Sequence, residues 1–174
     1  MDAYPEKERP AMFHAFLMIC LASVIAIFLA SGYAWDLIAR TAMVMLDASG
    51  IRTQYVASQY LMYVRLLDGS VVGFKVLIEC SGLITLLIFS FISAFTIGLL
   101  KGNIKVKTAW FILSMSIGFI WNLSRLAAVV SIAYNYGLSA FYFAHFVLGP
   151  MVDFVWVVST WSLGMSWLRR ENMK

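Results

Sequence analysis

The stretch that decides the fold runs from Thr108 to Tyr134, TAWFILSMSIGFIWNLSRLAAVVSIAY, and it contains a single charge, Arg125. A helix crossing the hydrocarbon of a bilayer needs about 20 mostly apolar residues, and this run exceeds that length. Three more such stretches lie around it: Ala11 to Ser31, behind Pro10; Cys80 to Leu100, closed by Lys101-Gly102-Asn103; and Phe141 to Leu168, ending at Arg169. The composition agrees. Of 174 residues, 62% are hydrophobic and 13% charged, against about 45–50% and 25% in soluble domains, and mean hydropathy is +0.85. Disorder is excluded, and two cysteines, Cys20 and Cys80, do not make a disulfide scaffold. The first stretch is longer than the roughly 7–15 residues of a cleavable signal core, so it reads as a span. The expectation is an all-α integral membrane protein, one domain over residues 1–174, with about four transmembrane helices at 11–31, 80–100, 108–134 and 141–168.

Basic residues near the span ends set orientation. Lys7 and Arg9 precede the first span, Lys101, Lys105 and Lys107 fill the turn between the second and third, and Arg169, Arg170 and Lys174 follow the fourth, so eight of 13 basic residues share one side. That side is read as the cytoplasm, with both termini in it. The net charge of +4 thus sorts by membrane side and does not read as a nucleic-acid patch. The segment 32–79 balances Arg40, Arg52, Arg65 and Lys75 against Asp36, Asp47, Asp68 and Glu79, and faces outward. Within it, Trp35, Ile38, Ala42, Met45 and Leu46 recur at helical spacing. Gln59–Leu67 and Val71–Ile78 flank Asp68-Gly69-Ser70, a strong hairpin signal, so a short helix and a two-stranded ribbon are expected over the helix ends.

A charge inside a span is costly and by default marks a functional site. Arg125 lies 17 residues beyond Thr108, roughly 25 Å along a helix, at the outer end. His145 follows the start of the fourth span by four residues, and Cys80 opens the second. Three spans therefore bring Cys80, Arg125 and His145 to one depth. A thiolate is the reactive form of cysteine. Ser81 and Gly82 leave access to the sulfur, and His145 is suited to proton transfer. Arg125 cannot act as a base and is suited to an oxyanion, with Asn122 one turn away to orient it. Asp153 is a partner for His145 or for Arg125. Plainer uses stand beside these: Cys80 as packing, Arg125 and Asp153 as a structural ion pair in a non-enzymatic scaffold, and Ser81 with His145 as a serine protease pair. Cys20 reads as packing and His14 as interfacial. Cys20 and Cys80 sit near opposite faces and cannot form a redox couple. With two Cys and two His far apart there is no metal-ligand spacing, and no cofactor is expected.

Glu79-Cys80-Ser81-Gly82 opening a span resembles the Cys-Ser-Gly motif of the exosortase/archaeosortase family, Asn122-Leu123-Ser124-Arg125 its Asn-x-x-Arg motif, and His145 its third catalytic position. The order and the sidedness are the family's, over roughly Ile78 to Gly149, and the short chain is similar to compact archaeosortase-type members. The resemblance implies a membrane cysteine protease/transpeptidase of the cell membrane, active on the extracytoplasmic side. Its partners would be C-terminal transmembrane sorting signals and a lipid acceptor. Cys80 would be the nucleophile, Arg125 the carbonyl or oxyanion stabiliser and His145 the general acid/base. Glu79 departs from the small residue more usual before the cysteine; an unpaired carboxylate there would oppose thiol ionisation.

Overall fold

A computed structural model of the chain describes residues 9–78 and 81–171; Glu79 and Cys80 lie outside the described residues. The molecule is mainly helical, with one small sheet. Helix α1 (Arg9–Leu29) runs about 31 Å at 1.5 Å per residue. It ends where Trp35 Nε1 donates to Leu29 O at 3.1 Å and the Ser31 hydroxyl donates to Phe28 O at 2.6 Å, satisfying carbonyls that a helix end leaves open. Helix α2 (Gly32–Ala48) follows at once. Its buried face is Ala34, Ile38, Ala39, Ala42 and Leu46. The small residues on that face allow it to lie close against its neighbours, and Met45, expected inside, is outside.

The outer segment forms three strands where two were expected. Strands β1 (Thr53–Val56), β2 (Leu61–Arg65) and β3 (Val71–Lys75) pair antiparallel in that order. The Asp68-Gly69-Ser70 turn is where the sequence put it: Asp68 Oδ1 accepts from the Ser70 N–H at 2.9 Å and from the Ser70 hydroxyl at 2.6 Å. The register sets Met62 opposite Phe74, and Met62, Val64 and Phe74 are buried. The extra strand reaches β2 through a 3₁₀ turn, Ala57–Gln59, and Tyr60 in the left-handed region (φ 53°). Here Asp36 pairs with Arg40 at 2.7 Å, a bond that holds the Asp36 carboxyl below the ordinary carboxylate range.

Helix α3 (Leu83–Leu99) starts three residues later than the sequence suggested, with Gly82 as its N-cap. It packs antiparallel on α1, where Gly98 meets Ala15 so closely that an added Cβ would lie 2.5 Å from Ala15 Cα. Helix α4 (Ile104–Phe143) is broken at Gly137, whose φ of 79° and ψ of −179° are open essentially to glycine alone. A π-helical turn (Ala144–Leu148) leads into α5 (Gly149–Glu171). Beyond Gly137 the chain folds back: Trp110 contacts Trp167 with ring centroids 5.5 Å apart, and added Cβ atoms at Gly164 and Gly118 would run into Trp110 and Trp156.

Among the described residues, two helical stretches are long and apolar enough to cross a membrane, Ala11–Leu29 and Ile104–Arg170, and the second is bent back on itself at Gly137. The outward faces carry large apolar side chains such as Ile27 and Phe154, 73% and 68% exposed, which suits a lipid solvent better than water. At the opposite end from the sheet, the fully buried Lys107 donates through Nζ to Gly98 O at 3.0 Å and to Leu100 O, and meets His14 Nδ1 at 3.3 Å. A cation thus closes the C-terminus of α3. Cys20, expected as packing, is a free thiol on the outward surface of α1.

Candidate active site

Gly82 is where α3, α4 and α5 meet. Its φ is +73°, and a Cβ there would lie 2.2 Å from Asn122 Oδ1 and 2.7 Å from Arg125 Nη2. On the other side of the guanidinium, a Cβ at Gly149 would lie 2.7 Å from Arg125 Nη1. The arginine is therefore held between two glycines, one before α3 and one opening α5. Arg125 Nη1 contacts Asp153 Oδ2 at 3.0 Å, with side chains 12% and 6% exposed. Asn122 precedes Arg125 by one turn and is buried, as is Asp153. Of the two partners open to Asp153, the fold gives it Arg125.

Among the described residues, three polar atoms in this cluster are buried without a hydrogen-bond partner: Asn122 Oδ1, Arg125 Nε and Asp153 Oδ1. Buried polar groups are nearly always satisfied, so orphans in one place call for an explanation. The guanidinium also lines an apolar groove of about 300 Å³ between α4 and α5, with Trp121, Ala128, Ile132, Leu148 and Val152 as its walls.

His145 sits in the π-helical turn, a wide turn frequent at functional sites. Its ring is stacked on Phe141, centroids 5.4 Å apart and planes 5° from parallel, with Phe146 edge-on at 4.7 Å. It faces a cavity of about 260 Å³ shared with Phe74 and Val76 from the sheet side and Leu126 and Val130 from α4. Phe74 in turn contacts Phe141, centroids 4.9 Å apart. Among the described residues His145 has no hydrogen-bond partner. It is not in contact with Asp153.

The connection from β3 to α3 links these two places. Val76, whose N–H donates to Tyr60 O at 2.8 Å, lines the His145 cavity. Six residues later, Gly82 abuts Asn122 and Arg125. Cys80 belongs to this connection by sequence and lies outside the described residues. Ser81 is fully buried, its N–H donating to Leu77 O at 3.0 Å and its hydroxyl to Ile78 O at 3.3 Å. Sequence reasoning did not foresee the ring stack on His145 or the glycine clamp on Arg125. The signal for the clamp is present in the small residues Gly82 and Gly149, whose missing side chains leave room for the guanidinium.

A bundle of apolar helices with a buried cation and a small sheet, and a histidine and an arginine bordering the described ends of the strand-to-helix connection, describes a membrane-embedded protein with a polar site near one end. The family model of the transmembrane exosortases matches residues 8–162. The chain therefore belongs to the exosortase family, membrane proteins of the sorting-transpeptidase class. Comparison with curated proteins and with solved structures returned no match.

Proposed function

We propose that this protein is a membrane-embedded cysteine protease/transpeptidase that cuts the C-terminal sorting signals of exported proteins and transfers the cut chains to a lipid acceptor. The observation that carries the proposal is that Val76 borders the His145 cavity while Gly82, six residues on, abuts the Asn122–Arg125 pair. In this reading the Cys80 thiolate attacks the scissile carbonyl and Arg125 stabilises the oxyanion of the tetrahedral intermediate. His145 takes the thiol proton and returns it to the leaving amine. The resulting thioester is then opened by a nucleophile of the acceptor, which restores the thiol.

The proposal includes four crossings with both termini in the cytoplasm of a cell whose plasma membrane holds the chain, and a site facing outward. Its support is the antiparallel packing of α1 with α3 and of the two arms around Gly137, together with the basic residues at Lys101–Lys107 and Arg169–Arg170 on the end away from the sheet. Burial of Ser81 and the use of its hydroxyl on Ile78 O weigh against a serine nucleophile.

The Arg125–Asp153 contact gives a second reading some footing, a scaffold held by a buried ion pair. Membrane-impermeant maleimide separates the two. In a Cys20→Ser background, intact cells should label rapidly, lose all labelling with Cys80→Ala and label more slowly with His145→Ala. An inert Cys80, or one reached only from the cytoplasm, would sink the transpeptidase reading and leave the scaffold.

A further inference from the structure

The tip of the sheet holds two arginines side by side. Arg52 immediately precedes β1, and because Thr53 faces Val64 the next register position sets Arg52 beside Arg65. Both line a cavity of about 410 Å³, with Tyr134 from the outer end of α4 and Leu67 from the β2–β3 turn. Like charges directly opposite across an antiparallel pair are destabilising, and two carboxylates of the same segment bond other donors. Asp47 Oδ1 accepts from the N–H and hydroxyl of Thr53 at 3.2 and 3.3 Å, and Asp68 Oδ1 is taken by Ser70. The Ser70 hydroxyl and N–H, not an arginine, hold the Asp68 carboxyl below its ordinary range. Among the described residues neither Arg52 nor Arg65 has an ion-pair or hydrogen-bond partner.

We propose that the Arg52–Arg65 pocket binds the phosphate of an anionic lipid headgroup in the leaflet on the sheet side. Guanidinium is the side chain best shaped to hold phosphate oxygens in pairs. A lipid fits better than a free anion because the rim is apolar: Leu67 and Val71 are each 65% exposed beside the arginines, and Tyr134 enters from the end of a helix rich in apolar residues. Basic and exposed apolar side chains together, with tyrosine at the level of the headgroups, are what an interfacial contact requires. The inference rests on the chain being embedded in a membrane and is independent of Cys80 chemistry.

The test is native mass spectrometry of the full chain in neutral detergent, titrated with phosphatidylglycerol or phosphatidylcholine, with and without millimolar inorganic phosphate. The variant Arg52→Gln/Arg65→Gln should hold one phosphatidylglycerol fewer than wild type. Affinity for that lipid should fall roughly 30-fold, each cation near a lipid surface being worth about a factor of five. Arg52→Lys/Arg65→Lys keeps both charges and should stay within a few-fold of wild type, which separates lost charge from lost fold. Equal phosphatidylglycerol binding by wild type and the glutamine variant would overturn the proposal, as would equal retention of phosphatidylcholine. Complete displacement by inorganic phosphate would replace the lipid by a free anion and overturn it too.

Discussion

Gly82→Ala is the substitution that tests the site most directly. An alanine at φ +73° costs about 1–2 kcal/mol in backbone strain. Its methyl would also lie 2.2 Å from Asn122 Oδ1 and 2.7 Å from Arg125 Nη2, so those groups must retreat by about 1 Å to reach ordinary contact. Asn122 is buried and cannot swing into open space. A displacement of that size at a reacting centre costs on the order of 10²-fold in rate. Gly50→Ala is the matched control, because Gly50 has φ +81° with nothing within 4 Å of an added Cβ. Both variants should lose stability in a thermal-unfolding assay in detergent, Gly82→Ala the more because the overlap adds to the strain. Only Gly82→Ala should lose about 100-fold in cleavage of a sorting-signal substrate reconstituted with the enzyme in liposomes. If both variants keep wild-type turnover, or both lose it equally, the clamp on Arg125 has no part in the reaction.

Asp153→Asn removes the carboxylate from a buried guanidinium and should cost about 3–5 kcal/mol of stability, seen as a lower melting temperature. Arg125→Leu/Asp153→Leu should recover most of that stability while cleavage stays absent, the outcome a pure scaffold would not give. Lys107→Met leaves Gly98 O and Leu100 O without their donor and should lower stability by about 1–3 kcal/mol with Cys80 labelling rates unchanged. Burial first, and the Asp36 carboxylate second, push the Tyr55 hydroxyl up to about 12, against about 10 in the unfolded chain. The neutral phenol is thus the form the fold prefers. That preference is complete below pH 10 and is lost as pH rises through 10 towards 12, so wild type should lose melting temperature over that interval relative to Tyr55→Phe.

Hydropathy made most of the helices legible, because a lipid-facing helix has to be apolar along its length and says so in every residue. The hairpin at Asp68-Gly69-Ser70 was legible for a different reason, since its turn needs a backbone that few residues allow, whereas Gly137 was not singled out and only the span ends at 134 and 141 bracketed the reversal. Strand β1 was not legible. Thr53 to Val56 is four residues long, and its link to β2 runs through a 3₁₀ turn and the left-handed Tyr60, with none of the Gly, Asn or Asp residues that mark a hairpin. The approach of Asn122 and Arg125 to the start of α3 followed from counting residues along spans. The choice between Arg125 and His145 as the partner of Asp153 did not, because the π-helical turn between Ala144 and Leu148 changes which residues of α5 face α4. Lys107 was read as one more cation of a cytoplasmic turn. Its burial depends on the exact end of α3, where Gly98 and Leu100 present carbonyls to it.

The unpaired atoms around Arg125 bear on why the site is polar at all. A buried ion pair is a weak source of stability, and well-packed apolar residues often do as well or better. An ion pair serving only as glue would also be expected to satisfy the rest of its polar atoms. Among the described residues, Arg125 Nε is a donor without an acceptor and Asn122 Oδ1 an acceptor without a donor, one helical turn apart, with Asn122 Oδ1 against Gly82. A peptide unit brings one C=O acceptor and one N–H donor, the complement of that pair. A backbone segment received there would meet Arg125 through its carbonyl and Asn122 through its amide, beside Gly82, which is two residues in sequence from Cys80. This complementarity supports a site shaped for an incoming chain more than one shaped to hold two helices together. Asn122→Leu, which keeps the volume and removes the acceptor, should therefore weaken substrate binding while leaving the melting temperature unchanged or raised.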